Sequence, residues 1–416
     1  MNGYRKSKRL VAPRKEECMP DMTMTPEIKE MRKRVSTFME ENVYPNEGTL
    51  SEHNGESEAL MKELQAKAKS TGIWALHLPA EAGGQGIGFM PYVYVNEILG
   101  RSPYAPRAFG SQAPDSGNAE ILWQFGTEEQ KKRWLKPLVD GDIRSCFSMT
   151  EPEVSGADPT GLQTRAVRDG DEWIINGHKW FTSGAIGASF AIVMCVTDPD
   201  GNPHRRMSQI IVPTDTPGFE IARPVPVMGE TAGAHCEIYY RDCRVPVTHT
   251  LGQPGDGFLI AQKRLGPGRI HHCMRWLGQM QRAFELMCQR ALSRRAFGGM
   301  LAEKQTIQNW IADSVAEIQA ARLLTLHAAQ KIDSGEDPRV EISVIKFFGA
   351  KVLHDVIDRA IQVHGALGVS GDTPLESMYR SARAARIYDG PDEVHRMVVA
   401  RRVLQAFSQG LTWEFE

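Results

Sequence analysis

Apolar residues recur at helical spacing through the first third of the chain, from residue 25 to about residue 137. Thr25 precedes Pro26, which is typical of a helix cap followed by proline at the first helical position. Two further helices are predicted over residues 57–70 and 127–138. The apolar face of the first helix consists of Ile28, Met31, Val35, Phe38 and Met39.

The pattern becomes strand-like from about residue 144 to about residue 251. The runs "EWIINGHKWF", "FAIVMCVT" and "SQIIVP" are rich in β-branched and aromatic residues, and Gly, Asp and Pro separate them. Asp169-Gly170 lies between two such runs and indicates a tight hairpin. This part of the sequence therefore predicts a small antiparallel sheet.

Helical spacing returns at about residue 256 in longer segments. Apolar residues recur at intervals of three, four and seven through two consecutive segments, and the second should end at Ser334-Gly335. A third long helix is predicted over residues 338–363. The lengths and apolar faces suit a four-helix bundle.

Together these patterns predict a mainly α chain with a central β domain. We expect a flexible basic N-terminal tail over residues 1–24, because the first fifteen residues carry six basic residues and no acidic one. A transit peptide is the alternative for that stretch. The expected domains are a helical N-terminal domain (25–143), a middle β domain (144–255) and a C-terminal helical bundle (256–416).

Composition excludes several classes of function. The net charge of −2 argues against a nucleic-acid or anionic-membrane partner. No apolar run approaches the roughly 20 residues that a membrane helix needs. The seven cysteines form no CxxC pair, so we expect reduced thiols, no metal site and a cytoplasmic location. In a eukaryote the mitochondrial matrix and a peroxisome are the alternative locations.

The segment "ARIYDGPDEVHR" near the C-terminus carries the first candidate chemistry. Asp389 stands between Tyr388 and Gly390, after a helical pattern rich in arginine. A carboxylate fixed at a turn, beside an aromatic wall and a glycine that lets a ligand approach, suits proton abstraction. Asp-Gly is also a common turn, so the segment by itself leaves both interpretations open.

Two segments of the strand-like region could face a cofactor. "CFSMTEPEVSGADPTG" (146–161) offers backbone N–H groups and hydroxyls to a phosphate or a flavin ring edge. "NGHKWFTSG" (176–184) places aromatic residues beside hydroxyls, which can flank a planar cofactor. An ordinary connecting loop and a sheet edge packed on a helix fit the same residues.

Two segments of the C-terminal region could contact a ligand. Arg294 and Gln305 flank a Phe-Gly break between helices, and arginine is a natural partner for a pyrophosphate. "QVHGALGVSG" (362–371) is a glycine-rich loop after a helix, with no strand before it, so it is no Rossmann fingerprint. A surface arginine and a simple helix end are the alternatives.

The ordered set "MTEP", "NGHKW", "RRAFG" and "IYDG" resembles the FAD-dependent acyl-CoA dehydrogenases over residues 26–404. "RLGPGRIHHCMR" together with "YDGPDEVH" is similar to one subfamily, whose animal members carry a fused kinase-like domain and handle long or hydroxylated acyl chains. The resemblance implies that family's fold: a helical N-terminal domain, an antiparallel β-barrel or sheet in the middle and a C-terminal four-helix bundle.

The resemblance also implies roles for individual residues. Asp389 matches the catalytic base, and Gly268 leaves the alternative base position of some relatives without a carboxylate. Contacts to the FAD of the same subunit are implied for Phe147, Met149, Thr150, Gly156, Trp180, Thr182, Pro391 and Glu393. Contacts to the FAD of a neighbouring subunit are implied for Arg294, Phe297 and Gln305, and the adenine-side loop is implied at Gln362, Gly365 and Ala366. Contacts to the acyl-CoA are implied for Ser155, Arg269, Tyr388, Gly390 and Arg401.

Three departures from the family pattern bear on the site. Asp389 replaces the usual Glu and shortens the reach of the base by one C–C bond, about 1.5 Å. Ala366 replaces a common Gly, and Pro391 replaces a Thr.

The implied reaction is α,β-dehydrogenation of an acyl-CoA to a 2-enoyl-CoA, as in fatty acid β-oxidation. Asp389 would take the α-proton while the β-hydride passes to flavin N5. Burial by the substrate and Tyr388 is expected to raise the pKa of Asp389 toward the working pH. A homo-oligomer (a dimer or a dimer of dimers) and electron-transfer flavoprotein as acceptor are also implied. An acyl-CoA oxidase on the same scaffold, or a catalytically dead partner-binding scaffold, are the alternatives.

Overall fold

The computed structural model describes residues 24–228 and 234–411. The basic tail expected over residues 1–24 therefore lies almost entirely outside the described residues. The first helix begins as predicted: the side chain of Thr25 accepts a hydrogen bond from the Ile28 N–H at 3.4 Å, and Pro26 occupies the first turn.

The N-terminal part consists of helices packed around one apolar core. Its α-helices are α1 (Pro26–Phe38), α2 (Glu47–Leu50), α3 (Gly55–Ser70), α4 (Phe89–Leu99), α5 (Ala105–Ala108), α6 (Asp115–Phe125), α7 (Glu128–Gln130) and α8 (Lys136–Val139). A capping box between Thr127 and Gln130 starts α7, and a π-turn at Lys131–Leu135 joins α7 to α8. The helix predicted over 127–138 is thus confirmed.

The middle part is a sheet with the strand order β6-β7-β3-β2-β4-β5-β8, and β1 also pairs with β4. Its strands are β1 (Ser145–Ser148), β2 (Arg165–Asp169), β3 (Glu172–Ser183), β4 (Phe190–Val196), β5 (Met207–Pro213), β6 (Phe219–Pro224), β7 (His235–Pro246) and β8 (Thr250–Leu251). The predicted hairpin is present, because Asp169 pairs with Glu172 across the turn between β2 and β3.

The sheet is mixed, so the predicted antiparallel pairing holds for most of its strand pairs but not for all of them. Strand β1 runs parallel to β4, from Ser145 opposite Phe190 to Ser148 opposite Val193. Strand β2 also pairs with β4 in the parallel direction. The β2–β3 hairpin lies between β1 and β4 in sequence, and such a long connection permits parallel pairing. Apolar alternation sets which face of a strand is buried and carries no information on its direction.

The C-terminal part is a helical bundle with its own apolar core, to which α4 contributes Val93 and Tyr94. Its helices are α9 (Gly257–Ser293), α10 (Gln305–Asp333), α11 (Arg339–His364), α12 (Leu375–Ala384) and α13 (Asp392–Ser408). A hairpin of two short strands, β9 (Arg295–Ala296) and β10 (Gly299–Met300), joins α9 to α10. The predicted helix end is confirmed: α10 stops before Ser334, and Gly335 adopts a φ of +77°.

Helix α9 connects the three parts. Ile260 packs in the N-terminal core, Ala261 packs beside the sheet, and Ile270 begins the face that enters the bundle. A Cβ on Gly278 would lie 2.0 Å from the Glu97 carbonyl oxygen, so glycine lets α9 and α4 pack backbone to backbone. The described residues contain no helix long and apolar enough to span a membrane. They also hold no cluster of three metal-ligating side chains.

Candidate active site

The turn between α12 and α13 presents Asp389. Its backbone adopts a left-handed φ of +55°, and Gly390 follows with a φ of +101°. A Cβ on Gly390 would lie 2.8 Å from His395 Nε2, so both the conformation and the space require glycine there. A non-glycine residue with positive φ must be held in place by its surroundings.

Side chains from three helices hold this turn. Arg269 Nε of α9 donates to the Asp389 carbonyl at 2.9 Å, and His395 Nε2 of α13 lies 3.2 Å from the same oxygen. Lys346 of α11 is fully buried, and its Nζ donates to the carbonyls of Ala385 at 2.7 Å and Gly390 at 3.4 Å. The backbone of the candidate base is therefore fixed from several directions.

The carboxylate of Asp389 faces α9. Its Oδ2 lies 3.2 Å from His272 Nε2, and its side chain keeps 24% of its surface exposed. It is therefore both anchored and accessible, which is the combination that a general base requires.

Cations determine the ionisation of Asp389. Burial raises the pKa of its carboxyl, but the hydrogen bond from His272 and the charges of Arg269 and Arg264 outweigh it and hold the pKa below the ordinary value. Burial by the protein alone therefore does not raise the pKa of Asp389, and the rise expected when the substrate also covers it stays a prediction. Three partners on α9, more than 110 residues earlier in the chain, supply the opposing effect.

Aromatic rings enclose one side of Asp389. The Tyr388 hydroxyl accepts a hydrogen bond from Trp276 Nε1 at 2.8 Å, and the Tyr388 ring centre lies 4.9 Å from that of His272. Burial raises the pKa of Tyr388, so it remains a neutral phenol. Lys346 Nζ lies over the rings of Trp276 and Tyr388 at 5.3 and 5.1 Å.

The alternative base position on α9 carries no carboxylate. Gly268 directly precedes Arg269, and a Cβ built on it would meet no atom within 4 Å. The neighbouring acid that the sequence did not single out is Glu120 of α6. Burial, opposed by the charges of Arg264 and Arg275, raises its pKa to about 7.

The two segments expected at a flavin ring are joined in the structure. The Trp180 N–H of β3 donates to the Thr150 carbonyl at 3.0 Å, just after β1. Thr182 is fully buried, and its hydroxyl lies 3.2 Å from that of Ser148. Phe147 and Met149 are half-buried at the same end of the sheet.

Arg264 connects these segments to Asp389. Its guanidinium lies 4.2 Å from the Phe147 ring centre, and its charge acts on Asp389. The exposed loop with Ser155 and Gly156 also lies close, since a Cβ on Gly156 would be 3.2 Å from the Thr150 methyl group. Arg264 begins the motif "RLGPGRIHHCMR", but the sequence assigns it no role, because its partners lie on other elements.

The remaining expected residues lie in the C-terminal part of the chain. A cavity of about 500 Å³ brings together Arg294, Gln362, Gly365 and Ala366, and no residue of β1 or β3 lines it. Gln305 begins α10, and Phe297 is 99% exposed at the tip of the β9–β10 hairpin. The others lie at the start of α13 or along it: Pro391 as its cap, Glu393 in its first turn and Arg401 exposed further on.

Comparison with known proteins identifies the family. Models of the N-terminal, middle and C-terminal domains of acyl-CoA dehydrogenase match residues 25–142, 146–243 and 255–404. The chain belongs to the acyl-CoA dehydrogenase family. It is therefore an oxidoreductase with the acyl-CoA dehydrogenase fold.

Two curated relatives show how far the likeness extends. FadE2 of Mycobacterium tuberculosis, assigned to the acyl-CoA dehydrogenases, is 47% identical over 92% of this chain and 97% of its own length. Acyl-CoA dehydrogenase family member 10 of Mus musculus is 43% identical over 92% of this chain, but only 37% of its own length is covered. The chain thus spans nearly all of one relative and well under half of the other.

Solved structures share its fold. A Mycobacterium abscessus protein assigned to the same family is 40% identical, with a TM-score of 0.88 over 93% of this chain and 100% of its own. Butyryl-CoA dehydrogenase from Megasphaera elsdenii is 31% identical, with a TM-score of 0.82 over 92% of this chain and 100% of its own. An acyl-CoA dehydrogenase from Bacillus anthracis, solved with FAD, is 27% identical, with a TM-score of 0.82 over 94% of this chain and 69% of its own.

Proposed function

We propose that this acyl-CoA dehydrogenase oxidises the α,β bond of an acyl-CoA thioester, with Asp389 as the base. The observation that carries the proposal is the Asp389 carboxylate, ionised and partly exposed on an immobilised turn. Within the described residues, the base position used by some relatives on α9 is occupied by Gly268. Asp389 is therefore the carboxylate that this chain offers.

The chemistry requires two contributions from the protein. The α-proton of a thioester is weakly acidic, so the carbonyl needs a hydrogen-bond donor where the enolate charge develops. The backbone N–H of Asp389 is the proposed donor, and its carboxylate takes the proton. Tyr388 and Gly390 shape the space on either side of that carboxylate, and Arg269 fixes the turn that carries it.

FAD is the cofactor, and the residues of this chain fit it. Arg294 places a cation in the cavity beside Gln362, and a Cβ on Gly365 would meet no atom within 4 Å, which leaves space for a ligand close to the backbone. The joined segments at Thr150 and Trp180 offer backbone groups and an aromatic face to the flavin. When bound, FAD supplies the acceptor for the β-hydride.

A homo-oligomer, a dimer or a dimer of dimers, is also proposed. Because no residue of β1 or β3 lines the Arg294–Gln362 cavity, the Thr150–Trp180 end and this cavity are proposed to hold one FAD across two copies of the chain. The exposed Phe297 ring suits burial against a second copy. Arg294, Phe297 and Gln305 would then serve the neighbouring site.

Further assignments rest on the family resemblance. Ser155 and Arg401 are proposed to contact the CoA part of the substrate. Ala366 is proposed to contact the adenine side of FAD. Contacts to the flavin side of FAD are proposed for Phe147, Met149, Gly156, Thr182, Pro391 and Glu393. Electron-transfer flavoprotein is the proposed acceptor, β-oxidation the proposed setting and the cytoplasm the proposed location. The proposed domains are 25–143, 144–255 and 256–416.

An anaerobic screen of acyl-CoAs tests the function. The purified protein should be yellow, and the right acyl-CoA should bleach its flavin, with a 2-enoyl-CoA as product by mass spectrometry. A colourless protein, or a flavin that no acyl-CoA bleaches, would contradict the proposal. Fast reoxidation after mixing with air-saturated buffer would assign the chain to the oxidases instead.

A further inference from the structure

His272 contacts the Asp389 carboxylate in a defined protonation state. Its Nδ1 lies 3.2 Å from Arg275 Nη2, and its Nε2 lies 3.2 Å from Asp389 Oδ2. A guanidinium can only donate, so Nδ1 must accept. The proton of the neutral ring therefore resides on Nε2 and points at the carboxylate.

The surroundings keep His272 in this neutral form. Burial lowers its pKa, and the charges of Arg275 and Lys346 lower it further, while Asp389 only partly offsets them. Residues 272 and 275 lie on the same helix, one turn apart, so α9 presents the histidine and its partner as a unit.

An aspartate needs this support more than a glutamate would. Its carboxylate is one methylene closer to the backbone, so its position depends on the turn and on what binds its oxygens. Arg269 and His395 fix the Asp389 carbonyl, but they leave the side-chain torsions free. His272 is the side chain that binds Oδ2.

We propose that His272 is a positioning residue for the base: its Nε2–H holds Oδ2 of Asp389 and leaves Oδ1 to receive the α-proton. This inference rests on the proposed function, because it assigns the partner of the proposed base. Proton transfer then moves one proton from the substrate α-carbon to Oδ1, and His272 neither gains nor loses a proton.

The inference makes two measurable statements. Without His272 the carboxylate is less well oriented, so flavin reduction should slow by about 10-fold, the worth of one hydrogen bond to a charged group. The same change removes a donor that favours the ionised carboxyl, so the acid limb of the reduction rate should move to higher pH. Acyl-CoA binding should change little.

Other titratable or charged groups face the pair and are left in place by the test. They are Arg264, Arg269, Cys273 and Arg275 on α9, Lys346 on α11, Tyr388 on the turn and His395 on α13.

The test compares His272→Ala, His272→Gln and His271→Gln in the FAD-loaded enzyme. His271 is the matched control, because it lies on the same helix but packs against Phe89 and Tyr92. His272→Ala should slow flavin reduction and shift its acid limb upward, whereas His272→Gln, whose amide can still donate, should shift it less. His271→Gln should leave the acid limb in place.

Nitrogen NMR of histidine-labelled protein gives a readout that does not depend on turnover. The His272 signals, identified by their loss in His272→Gln, should show a protonated Nε2 and an unprotonated Nδ1 at neutral pH. Asp389→Asn should perturb these signals. A protonated Nδ1, or an acid limb that does not move in His272→Ala while the wild type reduces its flavin, would overturn the inference alone. A wild type that no acyl-CoA reduces would overturn the proposed function with it.

Discussion

Lys179 Nζ lies 2.8 Å from Glu151 Oε1 in the interior of the protein, where both side chains are buried. The same Nζ donates to the Met149 carbonyl at 2.8 Å, and Glu151 accepts the N–H groups of Gln163 and Thr164 at 2.7 and 2.8 Å. This ion pair ties β3 to the loop that follows β1. The two segments proposed to face the flavin are thereby held as one unit.

Breaking this pair should destabilise the protein and loosen FAD. Lys179→Met leaves the Glu151 carboxylate buried without its cation, which typically costs roughly 3–5 kcal/mol of unfolding free energy. Urea unfolding and FAD retention on desalting measure the two effects. Adding Glu151→Gln should recover part of the loss, because it removes the unpaired charge.

The matched control is the exposed pair of Lys136 and Asp140, 2.6 Å apart on the surface. Lys136→Met should hardly change stability, since solvent screens such pairs. Equal losses in Lys179→Met and Lys136→Met would show that burial does not govern the contribution of the inner pair.

Replacing Asp389 tests the base directly. Asp389→Asn keeps the size of the side chain and removes its basicity, so anaerobic flavin reduction should fall by about 10²–10⁴-fold. FAD content and acyl-CoA binding should survive. Asp389→Glu should also slow reduction, because the turn is held by Arg269, His395 and Lys346 and cannot retreat to accommodate a longer side chain. Unchanged reduction in the Asn variant would place the base elsewhere.

Much of this arrangement could be predicted from the sequence. The helical, strand-like and again helical patterns gave the correct order of parts, and local signals such as Thr25-Pro26 and Ser334-Gly335 located helix ends. The parallel pairing of β1 with β4 could not be predicted, because strand direction depends on how distant segments meet.

The candidate site, too, can be predicted from the sequence only in part. Asp389 stood out because an acid between Tyr and Gly is a local signal, whereas the side chains that control it are distant in sequence. Arg264 and His272 lie on α9, and Lys346 on α11. "RIHHCMR" was recognised as a motif, but only the three-dimensional structure shows that His272 contacts Asp389.

Arg294 provides a test of the proposed oligomeric site. Arg294→Ala removes one of the two arginines that line the cavity with Gln362 and Gly365, so FAD should dissociate more readily during dilution. Arg295→Ala is the control, because this neighbouring exposed arginine is bonded to the Gly298 carbonyl within its own hairpin. A wild-type monomer on size exclusion that retains FAD fully would contradict the proposal that two copies share the cofactor.

His77 should make the protein sensitive to acid. Its ring nitrogens are buried without a hydrogen-bond partner, and burial together with the charge of Arg275 lowers its pKa from 6.5 to about 3. Below pH 6.5 the unfolded chain binds a proton at this residue and the folded chain does not, so folding stability falls as the pH drops toward 3. The loss is about 1.4 kcal/mol for each pH unit in that window.

His77→Phe should therefore make the unfolding free energy less dependent on pH below pH 7. Phenylalanine suits the site, because the His77 ring lies 5.8 Å from that of Tyr92 and carries no bonded nitrogen. Between pH 7 and pH 5 the variant should lose roughly 2 kcal/mol less unfolding free energy than the wild type, as measured by urea unfolding. His204→Gln is the control, because His204 is exposed and should leave the slope unchanged. The same pH slope in His77→Phe and wild type would show that His77 stays uncharged in the unfolded chain or becomes charged in the folded one, and would contradict the assignment.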